Sequence, residues 1–175
     1  MIRLLRILVI GILVAVSNSS QAREYPLGPG DLLSITVFGE EDLSLKEVRV
    51  STNGSISFPL LGEITVQGMT PLKLENHLIS KLRDGYLKKP NLTISVVEYR
   101  DFYVHGEVKK PGGYPYTSNL TVEKAIVLAG GLTERASKGK ITILRENVSN
   151  KSPVSAALNV AVKPGDVITV GESFF

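Results

Sequence analysis

Apolar and polar residues alternate with a period of two along most of this chain, and two stretches replace that rhythm with helical spacing. Leu33, Ile35 and Val37 alternate with Ser34 and Thr36 after Gly28-Pro29-Gly30-Asp31, which predicts a half-buried strand leaving a tight turn. Asp31 is placed to offer its carboxylate to the backbone N–H groups of that turn. Val48-Arg49-Val50 and Ile56-Ser57-Phe58 flank Thr52-Asn53-Gly54-Ser55, a short-range hairpin signal. Pro59 ends the second of these strands or confines it to an edge, and Gly62 to Val66 predicts one more.

Thr70-Pro71 then opens a helix, with threonine as N-cap and proline at the first helical position. Leu74, Leu78 and Leu82 recur four apart, and Ile79 and Tyr86 extend the same stripe. Asn91 to Val96 alternates again. A second run starts with Phe102 to His105, turned by Lys110-Pro111-Gly112-Gly113. Thr121 caps a second helix with Val122, Ala125, Ile126 and Ala129 on one face, and Gly130-Gly131 ends it. Lys140 to Leu144 is the next strand, the polar stretch 147–153 reads as an exposed loop, and Pro164-Gly165-Asp166 feeds Val167 to Val170. The order predicts an α+β chain of two small mixed units, over 23–97 and 98–175. The second Pro-Gly-Asp echoes the first; a tight turn into a buried strand recurs by need, and two short matches do not make a repeat architecture.

The first 22 residues read as a cleaved secretory signal: Arg3 and Arg6, an apolar run from Ile7 to Val16, and small residues at Ser20 and Ala22. That run is shorter than a membrane span. The chain carries 20 Lys and Arg against 17 Asp and Glu, and removing Arg3 and Arg6 leaves 18 against 17. No Lys/Arg run exceeds two residues, which argues against nucleic acid as a partner. There is no cysteine, so an exported form has no disulfide to lean on and no N-terminal Cys to carry lipid.

Candidate chemistry is sparse. No nucleophile, base and orienting acid fall into a catalytic pattern, and no cofactor motif stands in its required context. His77 and His105 lack metal-ligand spacing, and Glu40-Glu41-Asp42 reads as a solvated acidic loop. There is no Trp to stack on a sugar ring. Tyr99, Tyr103, Tyr114 and Tyr116 gather around the second unit's first strands, where two readings stand side by side: cross-strand packing and a sugar path.

Tyr25 to Val37 and Val50 to Gly68, followed by Val104-His105-Gly106-Glu107-Val108-Lys109-Lys110-Pro111-Gly112 and Ala129 to Ala136, resemble in order a known bacterial family. It is the outer-membrane polysaccharide export family, whose export domain is followed by β-grasp domains of the soluble-ligand-binding (SLBB) type. The motif positions are Gly28, Gly30, Asp31, Gly54 and Gly62 in the first unit. In the second they are Gly106, Pro111, Gly112, Gly130, Gly131, Gly165 and Asp166. All are read as structural, fixing tight backbone geometry. The resemblance implies transport without catalysis, metal or cofactor. It implies a homo-oligomeric ring in the periplasm, associated with the outer membrane, that conducts a capsule or exopolysaccharide chain. It also implies an inner-membrane polysaccharide co-polymerase as partner, often a tyrosine kinase. The missing cysteine, room for one β-grasp unit, and an end at Phe174-Phe175 resemble the short form, which works with a separate outer-membrane component such as a β-barrel. A monomeric periplasmic module binding a small soluble ligand is the alternative the residues leave open.

Overall fold

Strand β1 (Leu32–Val37) forms where the alternation predicts it, burying Leu33, Ile35 and Val37. In the computed structural model, which describes residues 25–146 and 152–173, β1 is the central strand of a three-stranded antiparallel sheet. The signal predicted at 1–22, residues 147–151 of the predicted loop and the terminal Phe174-Phe175 lie outside the described residues. The edge partners of β1 are β2 (Leu45–Arg49) and, much later in the chain, β5 (Leu92–Glu98). Between them lie the hairpin β3 (Ser55–Phe58) and β4 (Gly62–Thr65), and helix α1 (Pro71–Arg83).

The Asn53-Gly54 turn does not join β2 to β3 in a hairpin. Ser51 N–H donates to Ser55 O, so the turn closes, but β2 continues alongside β1 while β3 pairs with β4. Gly54 O instead accepts from Val66 and Gln67, which folds the turn back onto the strand end that follows β4. The hairpin in this stretch turns through Pro59 to Leu61, after the strand that Pro59 ends.

Helix α1 starts as predicted: Thr70 Oγ1 accepts from Lys73 N–H and Pro71 stands at the start. Leu74, Leu78 and Leu82 are fully buried, each worth roughly 1.5–3 kcal/mol relative to exposure. Tyr86 does not continue the stripe. The helix stops at Arg83, and Tyr86 stands half exposed beyond it. These leucines pack with Phe58, Val66, Ile35 and their neighbours into one core that runs from Leu27 to Ile94.

A second core runs from Phe102 to Val170. It lies under a five-stranded mixed sheet in the order β7 (Gly112–Tyr114), β6 (Phe102–Gly106), β10 (Val167–Glu172), β8 (Ala136–Leu144), β9 (Val154–Ser155). Strand β10 is central, parallel to β6 and antiparallel to β8. Helix α2 (Val122–Leu128) is capped by Thr121 Oγ1 and buries Val122, Ala125 and Ile126. It ends on Gly130 and Gly131, both with positive φ, and Gly131 N–H returns to Ile126 O. Strand β8 begins four residues earlier than the pattern predicts, because Ala136 pairs with Glu172 beside the Arg135–Glu172 ion pair. The fold is α+β, with two small mixed units as the sequence implies.

Candidate functional site

The two Pro-Gly-Asp turns are built alike and meet at one residue, Arg100. In each, proline and a positive-φ glycine occupy the two central positions: Gly30 at +95° and Gly165 at +81°. In each, the aspartate N–H closes on the carbonyl three residues back, Asp31 to Gly28 at 3.2 Å and Asp166 to Lys163 at 3.1 Å. Each carboxylate then takes the N–H of that same residue, at 2.8 Å for Gly28 and 2.6 Å for Lys163. Each turn feeds the central strand of its own sheet, β1 or β10. Each carboxylate is also matched to an arginine: Arg100 Nη1 lies 3.1 Å from Asp31, and Arg145 pairs with Asp166.

Arg100 and Asp101 connect the two cores. The main-chain N–H of Arg100 donates to Asp31 Oδ1 at 2.9 Å, and Asp101 O accepts from Gly165 N–H at 3.0 Å. The segment between β5 and β6 is thereby bonded to both turns. The guanidinium is buried; besides Asp31 it reaches Glu146 through Nε at 2.6 Å and bonds the Tyr25 hydroxyl through Nη1. Tyr25 in turn donates to the Asp31 carboxylate, 2.6 Å from Oδ1 and 2.8 Å from Oδ2. Asp31, with 0 % exposure, therefore accepts from two backbone N–H groups, one phenol and one guanidinium. This network is what makes a buried charge tolerable.

Missing side chains make the room. A Cβ on Gly28 would stand 2.8 Å from Arg100 Nη1, and one on Gly165 would stand 1.9 Å from Glu146 Oε2. The titration behaviour follows from the packing. Burial, then the hydrogen bond and charge of Asp31, push the Tyr25 phenol far above its ordinary range, so it stays a donor. Burial works against the Arg100 charge, but Tyr25, Asp31 and Glu146 outweigh it and raise its value. Burial also raises Asp166, against the opposing Lys163 N–H and Arg145.

Of the motif positions, Gly28, Gly30, Asp31, Gly165 and Asp166 thus come together at the joint. The others do not. Gly54 is buried against Gln67, and Gly62 ends the β3–β4 turn. Gly106 leaves β6 against Val170, Pro111 and Gly112 open β7 on an exposed edge, and Gly130 and Gly131 end α2. The sequence reading missed Tyr25, Arg100, Arg145 and Glu146 as partners. A signal was there: two aspartates held in tight turns ahead of buried strands both call for a cation, and Arg100 stands at the junction of the two units.

The tyrosines divide. Tyr25, Tyr99 and Tyr116 form an edge-to-face ladder across the joint, with centroids 4.8 and 5.5 Å apart. Tyr114 packs on Phe102 and donates to Lys110 O. Tyr103 stands half exposed, and it lines a cleft of about 320 Å³ at the joint. Pro29 and Gly30 from the first turn and Gly165 and Val167 from the second line the same cleft. Arg49, Glu98, Tyr99, Arg100, Asp101 and Glu146 complete it.

Comparison with known proteins agrees with this architecture. Residues 19–97 match the family described as polysaccharide biosynthesis/export protein, and residues 102–155 match the SLBB domain. The chain is 35% identical over 160 residues to the exopolysaccharide production protein ExoF of Rhizobium meliloti, covering 82% of this chain and 37% of that protein. It is 28% identical over 178 residues to the EPS I polysaccharide export outer membrane protein EpsA of Ralstonia nicotianae, covering 87% and 46%. It is 28% identical over 127 residues to the polysialic acid transport protein KpsD of Escherichia coli, covering 71% and 23%. The chain spans less than half the length of these relatives. With an export domain followed by an SLBB domain, it belongs to the polysaccharide export family.

Proposed function

We propose that this chain is a periplasmic component of a capsule or exopolysaccharide export machine, associated with the outer membrane and exported by a cleaved signal without lipid attachment. Copies assemble as a ring that lines the passage, and the polymer moves through it with no bond made or broken. The export domain occupies 23–97 and the β-grasp domain 98–175, a division supported by the two separate cores. The reading calls for an inner-membrane co-polymerase, often a tyrosine kinase, that delivers the polymer, and a separate outer-membrane component, a β-barrel for example, that releases it.

The observation that carries the proposal is the ordered pair of matches, export domain then SLBB domain, in a chain whose relatives are named for polysaccharide export and transport. The motif residues support a structural role: the positions that meet do so to hold two small domains in one fixed relation. The test is surface polysaccharide in a strain lacking the chain, with the cell-associated pool measured in parallel. Loss of surface polymer, restored by complementation, is expected. Normal amount and length at the surface would sink the export reading. The cleft at the joint favours the alternative of a monomeric ligand-binding module. Mass in solution separates the two: a single-chain mass supports the module, and a high multiple of it supports the ring.

A further inference from the structure

Tyr103 is set apart from the other tyrosines of its neighbourhood by what it touches. It lies on β6 directly opposite Gly113 of β7. A Cβ on Gly113 would fall 3.0 Å from its Cε1 and 3.3 Å from its Cδ1, so the ring rests on the glycine backbone. One face is supported; the residue is nevertheless 50 % exposed at the cleft. Large exposed aromatics are ordinarily scattered and need no explanation. This one borders a concavity and is held by the only residue type that lets the ring lie down.

The polar groups around it are planar and mostly committed. Arg49 pairs with Glu98 at 3.3 Å, and Arg100 is held by Asp31 and Glu146. The Asp101 carboxylate forms no ion pair among the described residues, and its Oδ2 lies beside the same Gly113 position that Tyr103 covers. The cleft therefore offers an aromatic platform next to one uncommitted carboxylate, with two arginines whose charge is already matched. A flat apolar ring face suits the C–H face of a pyranose, and a carboxylate accepts from neighbouring hydroxyls. A second carboxylate brought in by the ligand would meet Asp101, Glu98 and Glu146. The volume, about 320 Å³, lies at the lower end of ligand pockets and suits one or two sugar units.

We propose that the cleft at the joint is a binding subsite for an uncharged sugar unit of the polymer, with Tyr103 as the stacking platform and Asp101 as the hydroxyl acceptor. The inference rests on the export reading for the polymer's presence, but not for the chemistry of the cleft. One platform and one acceptor make a weak, fast-exchanging contact, as passage requires.

The experiment is NMR titration of the signal-free chain with maltotetraose, cellotetraose and galactotetraose, and with trigalacturonate as the acidic comparison. The expected result is saturable shifts at Tyr103 with at least one neutral tetrasaccharide, at dissociation constants on the order of 1 mM. Tyr103→Ala should weaken binding about tenfold, Tyr103→Phe should retain it within about twofold, and Tyr86→Ala, equally exposed but outside the cleft, should leave it unchanged. Gly113→Val, which displaces the ring and crowds the Asp101 carboxylate while leaving every charge in place, should weaken binding at least as much as Tyr103→Ala does. The inference is overturned by tighter binding of trigalacturonate, by no saturable shift with any neutral probe, or by full binding in Tyr103→Ala. A strain lacking the chain that exports normally refutes the export reading and leaves these titrations untouched. Failed titrations in a chain that complements export do the reverse.

Discussion

Truncating the two partners of the buried Asp31–Arg100 pair one at a time should give unequal losses, although each mutation removes the same ion pair. Asp31→Ala strips the acceptor from the Gly28 and Arg100 N–H groups and the Tyr25 hydroxyl. It also leaves the Arg100 guanidinium with Glu146 as its remaining counter-charge, a partly exposed partner of lower worth. One-sided removal from a buried pair costs about 3–5 kcal/mol, and the orphaned backbone donors place this case at the upper end. Arg100→Ala keeps its own main-chain N–H, so Asp31 retains that donor, the Gly28 N–H and the Tyr25 hydroxyl. What is lost is the charge-assisted bond to Asp31, the partly exposed one to Glu146, the bond to the Tyr25 hydroxyl and the guanidinium packing 5.4 Å from the Tyr25 ring. Together these cost about 3 kcal/mol, the lower end of that range because Asp31 keeps three donors. Urea unfolding with m-values compared across wild type and both variants measures the difference. The gap of about 2 kcal/mol corresponds to roughly 4–8 °C in Tm for a chain of this size. Arg100→Ala as costly as Asp31→Ala, or Asp31→Ala below about 1 kcal/mol, would refute the account of the joint.

Other outcomes follow from single contacts. Gly106→Ala should cost about 3 kcal/mol or more, since φ is +86° and the new Cβ would lie 2.2 Å from Val170 O; near-neutral thermal unfolding would contradict this. Thr70→Ala should cost about 1 kcal/mol through the lost α1 cap, and Thr70→Ser should recover most of it in the same denaturation assay. Leu78→Ala should cost about 2–5 kcal/mol by opening the first core. For Asp166, burial raises the folded-state value above the ordinary 3.8, so the folded chain holds this proton more tightly than the unfolded one. Its contribution is fully present below pH 3.8 and is lost as pH rises through the folded value. Stability relative to Asp166→Asn, followed by urea melts across the acid range, should therefore fall through that window and then level; a rise would be fatal to the assignment.

What the sequence disclosed was what short-range chemistry decides. Thr70 and Thr121 announce their helices because a cap acts on an N–H three residues away. Leu74, Leu78 and Leu82 announce the buried face because the helix repeat puts them there. Asp31 reaches Gly28 N–H, three residues back, and that too was readable. The partner of β3 was not. Asn53-Gly54 turns the chain as such a pair should, but whether the strand beyond it returns along β2 depends on where β1, β4 and α1 settle. Tyr86 shows the same limit at a helix end: the stripe's spacing continues, while the helix itself stops at Arg83. The joint is the extreme case, since Arg100 and Asp31 are 69 residues apart and nothing local to either names the other.

Interfaces between domains of one chain are mobile by default unless something fixes them. Here the fixing element is polar and sits between two copies of one turn. Both turns aim a buried aspartate at an arginine, and the segment from Tyr99 to Tyr103 is bonded to each turn in passing. An apolar seam would hold the two cores together but would allow them to slide, since hydrophobic contact has no direction. A guanidinium with three matched acceptors around it has one good geometry. The ring proposed for this chain needs that property, because a small angular freedom within each copy accumulates around a closed circle and prevents closure. The same rigidity positions the cleft: Gly30 and Gly165, one from each turn, form its walls, so its width is set by the ion pair behind it. Stability of the joint and shape of the proposed sugar subsite are therefore coupled. A substitution at Asp31 should move the Tyr103 titration even though Asp31 does not line the cleft.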